Sequence, residues 1–528
     1  MKKAIAFVAA VAMAGVLCLS GCSSKSDDSS SKASTSEKQT TLVVRALGDP
    51  MSYNPDLNAD DYYFPIAQNL FHRLTKLDAS KNIIPDLATD WEWSDDSKTL
   101  TFHLQEGVKW SDGEDVTSED VKYTFDTIKN VEKSCMFSSN MAVVDSIDTP
   151  DDYTVVFNMN TPEVSFVSTL GWYASFILPE HIYNNGQSWA ENDATTKAPV
   201  TSGNYKFGEH KTGESLTIVK SEYAVVEPEM DTIVFSIIPD ETTAVQALQN
   251  GEIDVYEAVP TASQDQLLAD ENIDMNINEY PSPMRIVFNL KNETLADAAV
   301  RKAIALTIDR DEISEKIFNG LLKPENTMYP SMIEWAANTE DTAPDYNIEE
   351  AVKVLEDAGY TKDADGYYVR GLSLIAFEGN GYPDSAKLIA DSAKEAGIEI
   401  TVEVLEYNAW SEAVFNNHEF EIELQGGFMG PDPSRMMAQL STTGSDNVGS
   451  YSNAEVDELL TKGGSSGDEA VRAEAYKAVQ TITSEELPCV PILSYACYDA
   501  NRADLVNLPI DGAGKWGWAE YTYTKVAE

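Results

Sequence analysis

Residues 100–125 read LTFHLQEGVKWSDGEDVTSEDVKYTF, which is the most informative stretch of the chain. Its first five residues alternate apolar and polar side chains, which predicts a half-buried strand. The glycine-containing segments EG and SDG follow, and each predicts a tight turn. Thr117 then precedes an acidic first turn and an apolar stripe that begins at Val121, a pattern typical of a capped helix. The stretch therefore predicts a strand, a hairpin and a helix, in that order.

The composition limits the kinds of partner this chain can have. Of its 528 residues, 88 are acidic and 37 basic, for a formal net charge of −51. This balance disfavours nucleic acid, because phosphate contacts need clustered lysines and arginines. The acidity fits either a solvated surface or a preference for cationic ligands. Roughly 490 residues follow the N-terminal region, which is too long for one simple core and predicts two or three lobes.

The first 40 residues predict export. Two lysines precede an apolar run over residues 4–16, and residues 19–22, LSGC, resemble the lipobox of bacterial lipoproteins. That resemblance implies a signal peptide over residues 1–21 and a diacylglycerol on Cys22. An ordinary cleaved signal and a short transmembrane helix are the alternatives. Residues 22–40 are small and polar, which predicts a flexible tether spanning roughly 20–25 Å.

Strand-like and helix-like segments alternate along the rest of the chain. The predicted strands cover residues 42–47, 153–158, 216–220, 232–238, 284–290, 372–377 and 398–405. The predicted helices cover residues 64–74, 242–250, 298–308, 348–358, 384–396 and 470–483. A mixed order without a fixed period favours α/β lobes over a repeat architecture.

Several segments also resemble one protein family, in that family's order. They are residues 100–125, IPDLA (84–88), TSGNYKF (201–207), AVQALQNGEIDV (244–255), AVRKAIALTIDRD (299–311) and AVKVLEDAGY (351–360). Together they resemble the extracellular solute-binding proteins of peptide-type ABC importers, the oligopeptide/dipeptide/nickel-binding family. The resemblance covers roughly residues 41 to 528.

The resemblance implies an α/β fold: a bilobal, periplasmic-binding-protein-like clamshell of the large three-domain type, with mixed sheets and flanking helices. One lobe would comprise residues 41–70, 196–285 and 497–528, with an inserted domain over 71–195. The opposing lobe would comprise residues 286–496. Two hinge strands would lie near residues 280–290 and 490–500, and closure of the lobes would enclose a ligand.

The resemblance also implies a ligand site. In peptide binders of the family, a loop that corresponds here to Ala59, Asp60 and Asp61 forms hydrogen bonds with the ligand backbone. Such pairing does not depend on the side chains of the peptide. Trp410 stands where the family often lines a side-chain pocket, and Tyr495 lies on the strand near the hinge. The loop is equally consistent with a solvated turn, and the two aromatic residues with core positions.

The segment GGFMGPDP, residues 426–433, resembles the family loop whose aspartate pairs with the ligand's amino group. It implies ligand contacts from Gly427, Phe428 and Asp432. The loop is shorter than in the family, and Phe428 replaces the usual tryptophan. If Pro433 aligns with the family proline, an uncharged residue takes the aspartate's place; if the gap falls later, Asp432 serves.

Signatures of an enzyme are weak in this sequence. GGSSG at residues 463–467 matches G-x-S-x-G, but no strand precedes it, so we interpret it as a glycine/serine loop. The five histidines share no metal-ligand spacing, and a P-loop is missing. Cys135, Cys489 and Cys497 follow the N-terminal region, and the last two can form a disulfide only if the chain reverses between them. We therefore expect no catalysis, no metal and no cofactor.

These patterns together predict a monomeric substrate-binding lipoprotein of an ABC importer, anchored by lipid on the outer face of the cell membrane. It would capture a short peptide and deliver it to permease subunits driven by separate ATPases. A non-peptide solute, such as a metal chelate or a glycoside, is the alternative within this class. An exported hydrolase, and an adhesin or receptor that reuses the fold, are alternatives outside it.

Overall fold

A computed structural model describes residues 40–57, 63–78, 82–171, 175–427, 429–509 and 520–527. The predicted signal peptide, almost all of the predicted tether and the predicted lipid site at Cys22 lie outside these residues. The strands are β1 Thr41–Ala46, β2 Thr75–Leu77, β3 Ile83–Pro85, β4 Ala88–Trp93, β5 Thr99–Leu104, β6 Val144–Asp151, β7 Thr154–Met159, β8 Tyr205–Lys211, β9 Ser215–Lys220, β10 Thr232–Ile237, β11 Val255–Val259, β12 Ile273–Phe288, β13 Lys323–Pro324, β14 Val369–Phe377, β15 Ile398–Leu405, β16 Ile422–Gly426, β17 Cys489–Arg502, β18 Leu505–Val506 and β19 Lys525–Val526.

Helices alternate with these strands, as the sequence predicts. The α-helices are α1 Phe64–Leu70, α2 Ser118–Asn130, α3 Phe166–Leu170, α4 Glu180–Tyr183, α5 Asp193–Thr196, α6 Glu241–Gln249, α7 Thr261–Leu268, α8 Ala298–Leu306, α9 Arg310–Phe318, α10 Ile348–Asp357, α11 Tyr382–Glu395, α12 Tyr407–Ser411, α13 Arg435–Leu440, α14 Ala454–Ser465 and α15 Glu469–Glu486. Short 3-10 segments cover Met136–Val143 and Trp189–Glu191, and a π-helical turn covers Glu412–Asn417.

The stretch over residues 100–125 folds as predicted. The side chains of β5 alternate, with Leu100, Phe102 and Leu104 buried. Trp110 anchors the segment that turns back after β5, because its ring is fully buried. Helix α2 then begins after Thr117, whose backbone N–H donates to the Asp120 carboxylate at 2.9 Å. The capping residue and the acidic first turn therefore place the helix start where the sequence signals put it.

The largest sheet in the described part of the chain has eleven strands. Its order is β15-β14-β16-β12-β17-β11-β1-β10-β9-β8, with β13 added beside β17. Parallel pairs, such as β1 with β10 and β14 with β15, mix with antiparallel ones. A separate four-stranded antiparallel sheet, β4-β5-β7-β6, forms from residues within the predicted inserted domain. The mixed α/β clamshell-type architecture is thus present, while the exact domain boundaries stay a prediction.

Two long strands, β12 and β17, join the halves of the large sheet. They pair antiparallel from Ile273 opposite Arg502 to Val287 opposite Cys489. One end of this ribbon packs in a core with α6, α7 and β11. The other end packs in the core of β14, β15, β16 and α8–α11. The ribbon therefore runs between the halves where the sequence predicts hinge strands.

The pairing within this ribbon is interrupted at one point. Glu279 pairs with Ala496 and Pro283 with Ser494, and the register shifts between these pairs. Tyr495 is thus the residue opposite the interruption. Prolines at 281 and 283 contribute no backbone N–H, so they cannot donate to the ladder here.

Two further sequence interpretations are resolved by the structure. The segment 463–467 is not wholly a loop, because α14 extends to Ser465, whose hydroxyl donates to the Thr461 carbonyl at 2.8 Å. The loop interpretation was wrong for residues 463–465, although the segment still lacks the strand that a nucleophile elbow requires. Cys489 and Cys497 both lie on β17 without a reversal between them, and both are free thiols, as is Cys135.

Candidate functional site

Half of the predicted ligand-binding residues lie in the described part of the chain. These are Trp410, Gly427, Asp432 and Tyr495. Ala59, Asp60, Asp61 and Phe428 lie outside the described residues, so their predicted contacts stay predictions. The structure therefore bears on the second half of the predicted site, from the β16 end to the hinge.

An aromatic wall connects Trp410 to Tyr495. It consists of Phe377, Tyr382, Trp410 and Tyr495. The Phe377 ring centroid lies 4.8 Å from that of Trp410 and 4.5 Å from that of Tyr382. The Tyr495 hydroxyl in turn bonds to the Tyr382 hydroxyl. Two of the predicted aromatic residues are thus brought into one continuous cluster, although they are far apart in sequence.

The aromatic wall also fixes the start of the glycine-rich loop. Any Cβ added at Gly426 would clash with the Tyr382 hydroxyl and the Tyr495 ring, so only glycine fits there. At Gly427, the next residue, no neighbouring atom occupies the space that a Cβ would fill. The loop is anchored further on by the backbone N–H of Met429, which donates to the Pro281 carbonyl at 2.7 Å. The loop therefore leaves the wall and contacts the β12–β17 ribbon.

Trp410 itself is more buried than a simple ligand platform would be. Its side chain is 3% exposed, and its indole Nε1–H has no hydrogen-bond partner among the described residues. Burial of the neighbouring Tyr382 hydroxyl raises its pKa to about 12. Both tyrosines of the wall therefore stay protonated at physiological pH and offer neutral polar groups.

Asp432 is already engaged within the protein. The Nη2 atom of Arg472 lies 2.7 Å and 2.8 Å from its two carboxylate oxygens. Arg472 also donates to the Gly463 carbonyl at 2.9 Å, and Asp432 accepts from the Ser434 backbone. Such a charge-assisted pair, only 11% exposed on either side, is strong. Asp432 would have to leave this pair to anchor a ligand amino group, and that role stays a prediction.

Two cavities lie beside this ion pair, between the inserted segment and the second half of the chain. The methionine cavity has a volume of about 810 Å³ and is lined among others by Met136, Phe137, Val143, Phe166, Met429 and Met437. The tryptophan cavity has a volume of about 750 Å³ and is lined among others by Ile83, Trp91, Trp93, Met332 and Trp335. Ser168, Pro431 and Asp432 line both cavities, so the two adjoin each other. Their volumes are those of small-molecule or short-peptide sites.

Glu163 is a second acidic group that lines the methionine cavity, besides Asp432. It accepts a hydrogen bond from Ser165, and burial raises its pKa, with a further contribution from the nearby Asp432 carboxylate. The next residue, Val164, donates its N–H to the Gly464 carbonyl at 3.3 Å. The inserted segment and the second half of the chain are therefore in direct contact at this edge of the cavities.

Several of these residues were missed by the sequence reasoning. Tyr382 follows a glycine-rich turn and looks like an ordinary first helical residue. Trp91 and Trp93 alternate on β4, and that period-2 pattern was available as a signal of a shared aromatic face. Nothing in the sequence placed these residues opposite Trp335, because the contact joins segments about 240 residues apart, and loop closure over such distances leaves no local pattern.

Some classes of site find no support in the described residues. No group of three histidine, cysteine or acidic side chains in this part of the chain is arranged to hold a metal ion. Nor is any helix there long and apolar enough to cross a membrane.

Comparisons with known proteins agree on one family. The model of the middle region of the bacterial extracellular solute-binding proteins, family 5, matches residues 82–448. The oligopeptide-binding protein AppA of Bacillus subtilis is 27% identical over 507 residues, which is 92% of each chain. The heme-binding protein A of Haemophilus influenzae is 26% identical over 510 residues, covering 91% of this chain and 92% of its own.

A solved structure supports the fold. The unliganded open form of the periplasmic murein tripeptide-binding protein MppA superposes with a TM-score of 0.81, at 21% identity. The match covers 93% of this chain and 98% of that one. At this identity the likeness concerns the fold, and it agrees with the clamshell predicted from the sequence.

Proposed function

Because this chain belongs to the bacterial extracellular solute-binding proteins of family 5, we propose that it captures a short peptide between its lobes and delivers it to an ABC permease. The family is one of solute binders rather than enzymes, in line with the weak catalytic signatures of the sequence. Energy for uptake comes from separate ATPase subunits, and the protein acts as a monomer. The relative AppA, an oligopeptide-binding protein, supports the peptide as the solute.

The observation that carries this proposal is the methionine cavity. Three methionines and two phenylalanines give the cavity flexible, polarisable walls that adapt to different apolar side chains. Aromatic rings provide large, rigid contact area at low entropic cost. A binder that accepts many peptide sequences needs such adaptable pockets, with the hydrogen bonds directed at the peptide backbone.

A non-peptide solute is the second candidate, and one relative favours it. Heme-binding protein A carries the name of a metal chelate and matches 91% of this chain. A flat aromatic macrocycle would also suit an apolar cavity lined by methionine and phenylalanine. The two candidates differ in what the protein carries when it is purified.

Anchoring by lipid completes the proposal. Cys22 carries the diacylglycerol, the following polar residues form the tether, and the binding domain stands on the outer face of the cell membrane. Two acyl chains suffice for stable retention, whereas one would bind only reversibly. A tethered binder stays within reach of its permease, which raises its effective concentration there.

Native mass spectrometry of the protein, purified from cells grown in rich medium, tests the choice of solute. We expect a spread of co-purified masses that fragment as peptides. A second spectrum of the same preparation, recorded under denaturing conditions, is the control, because only covalent adducts persist in it. A single discrete non-peptide mass would overturn the peptide proposal and support a specialised solute such as a chelate.

A further inference from the structure

The tryptophan cavity differs in chemistry from the methionine cavity beside it. Trp91 and Trp93 on β4 line it together with Trp335 from the second half of the chain. All three rings are half-buried and line the same space. Tryptophan has the strongest ring quadrupole among the aromatic side chains, so three such rings favour a cation over an anion.

One ring already holds a cation. The guanidinium carbon of Arg472 lies 5.3 Å from the Trp335 ring centroid. Asp432 neutralises that charge through both of its carboxylate oxygens. Arg472 is therefore part of the wall, and it adds little net positive charge to the cavity.

The remaining charges of the lining are negative. Glu334 and Glu469 both line the cavity, and neither makes an ion pair within the described part of the chain. Both are exposed, so they are hydrated and ready to pair with an incoming cation. The cavity thus combines aromatic faces with two carboxylates, which is the chemistry that recognises an ammonium or a guanidinium group.

The position of the cavity connects it to the ligand path. It adjoins the methionine cavity at Pro431 and Asp432, on the loop that begins at the aromatic wall. It is bounded on the opposite side by residue 467, where a Cβ would lie 4.0 Å from the Cβ of Trp93. The two cavities share lining residues, so the tryptophan cavity is the adjoining space into which a side chain of a ligand in the methionine cavity could extend.

We propose that the tryptophan cavity is a specificity site for a basic side chain, lysine or arginine, of the captured peptide. The aliphatic stem lies along the tryptophan rings, and the charged end pairs with Glu334 and Glu469. This inference rests on the proposed peptide function and adds a preference to it. It also gives part of the strongly acidic composition a specific role.

Calorimetric titration of the purified protein with two probes tests this site. The probes are tri-lysine and the same peptide acetylated on each Nε, which keeps the length but removes the side-chain charges. We expect the wild-type protein to bind tri-lysine at least tenfold more tightly. The double variant Glu334→Gln/Glu469→Gln should lose about threefold to tenfold in affinity for tri-lysine and little for the acetylated peptide.

A control must separate the site from the general attraction of an acidic protein for cations. Glu92 lies between Trp91 and Trp93 on β4, is exposed, and does not line the cavity. Glu92→Gln removes a charge nearby and should leave both affinities unchanged. Trp93→Leu provides a second variant, which should weaken tri-lysine binding without altering any charge; a thermal melt verifies that it is folded.

The outcomes distinguish this inference from the function on which it rests. If the wild-type protein binds neither peptide, the specificity site is refuted, and the co-purified masses decide separately whether peptide capture also fails. If it binds both peptides equally, or if Glu92→Gln lowers tri-lysine affinity as much as the double variant does, the specificity site is refuted while peptide capture stands. Selective loss in the double variant and in Trp93→Leu supports the site.

Discussion

Glu423 is a carboxylic acid in the interior of the large sheet. It lies on β16 between Val287 and Ile375 and is fully buried. Neither of its oxygens accepts a hydrogen bond of good geometry in the described part of the chain, although Arg285 and Gln425 are near. Burial raises the pKa of Glu423 to about 8. The side chain is therefore mostly protonated in the folded protein at neutral pH.

This burial makes stability depend on pH in a defined direction. A carboxyl group whose folded pKa is raised stabilises the fold fully below its unfolded pKa of about 4.5, and that contribution is lost as the pH rises through about 8. We expect Glu423→Gln to be more stable than the wild type at pH 8 by a few kcal/mol, because each pKa unit corresponds to about 1.4 kcal/mol. The difference should shrink towards pH 4.5.

Urea denaturation of both proteins at several pH values measures this difference. Asp56 is also buried, with its pKa raised to about 8. Its contribution to the pH dependence of stability is the same in the wild type and the variant. The difference between their free energies of unfolding therefore reports on Glu423. Glu403, exposed on β15, which is separated from β16 by β14, supplies the control variant Glu403→Gln. A pH-independent gap between wild type and Glu423→Gln would contradict the raised pKa.

Single residues also show where sequence reasoning reaches its limit. Trp410 and Tyr495 were predicted at the site, and they do meet, through Phe377 and Tyr382. Asp432 was predicted as an anchor for a ligand, yet its partner is Arg472, 40 residues away. A carboxylate looks the same in sequence whether its counter-charge comes from a ligand or from the protein, and only the spatial arrangement separates the two.

At the scale of elements, Asp120 ties three of them together. Its carboxylate accepts the backbone N–H of Thr117 at 2.9 Å, that of Glu180 at 2.8 Å and the indole N–H of Trp110 at 3.3 Å. These donors belong to the start of α2, the start of α4 and the hairpin before α2. Asp120 is 5% exposed, so water does not readily replace it.

We expect Asp120→Ala to lower the free energy of unfolding by about 2–4 kcal/mol, because it leaves buried N–H groups without acceptors. Urea denaturation measures this loss, and the dependence of the free energy of unfolding on urea concentration should be the same in both proteins. Glu119→Gln, one residue away and exposed in the first turn of α2, should change stability little. Equal losses in the two variants would mean that helix charge, rather than the buried network, is responsible.

Elements with a clear period were predicted well, and those without one were not. Strand β15 matches its predicted bounds, and α10 and α8 differ by one or two residues at their ends. By contrast, β12 was predicted only from residue 284 and begins at Ile273. The residues ahead of the predicted start, 273–283, include asparagine, glutamate and two prolines, and they form a strand because β17 pairs with them over long range.

At the scale of the whole molecule, the fold followed from the resemblance rather than from periodicity. Segment patterns indicated α/β lobes, but the joining of β1 to β10 and of β12 to β17 spans hundreds of residues. The hydrophobic cores add a feature that no pattern contained. The four-stranded sheet β4-β5-β7-β6 shares one continuous core with β1 and β8–β10, so these two parts of the chain are packed firmly together.

Retention at the membrane is the whole-molecule property most open to test. We expect Cys22→Ala to be released from the membrane fraction of the cells that make it, because the variant lacks the site for the diacylglycerol. Fractionation followed by immunoblotting measures this. Cys18→Ala, a substitution of the other N-terminal cysteine, is the matched control and should remain membrane-bound. Membrane retention of Cys22→Ala would refute the lipid anchor.

The interruption in the β12–β17 ribbon has a kinetic consequence. A paired ribbon bends most easily where ladder bonds are missing, and here that place is opposite Tyr495, in the aromatic wall. A solute resting on the wall would sit almost on the axis of rotation, so its contacts there would hardly change as the lobes turn. Encounter and enclosure would then be separate steps: the wall would govern how fast a solute arrives, and the contacts away from the axis how long it stays.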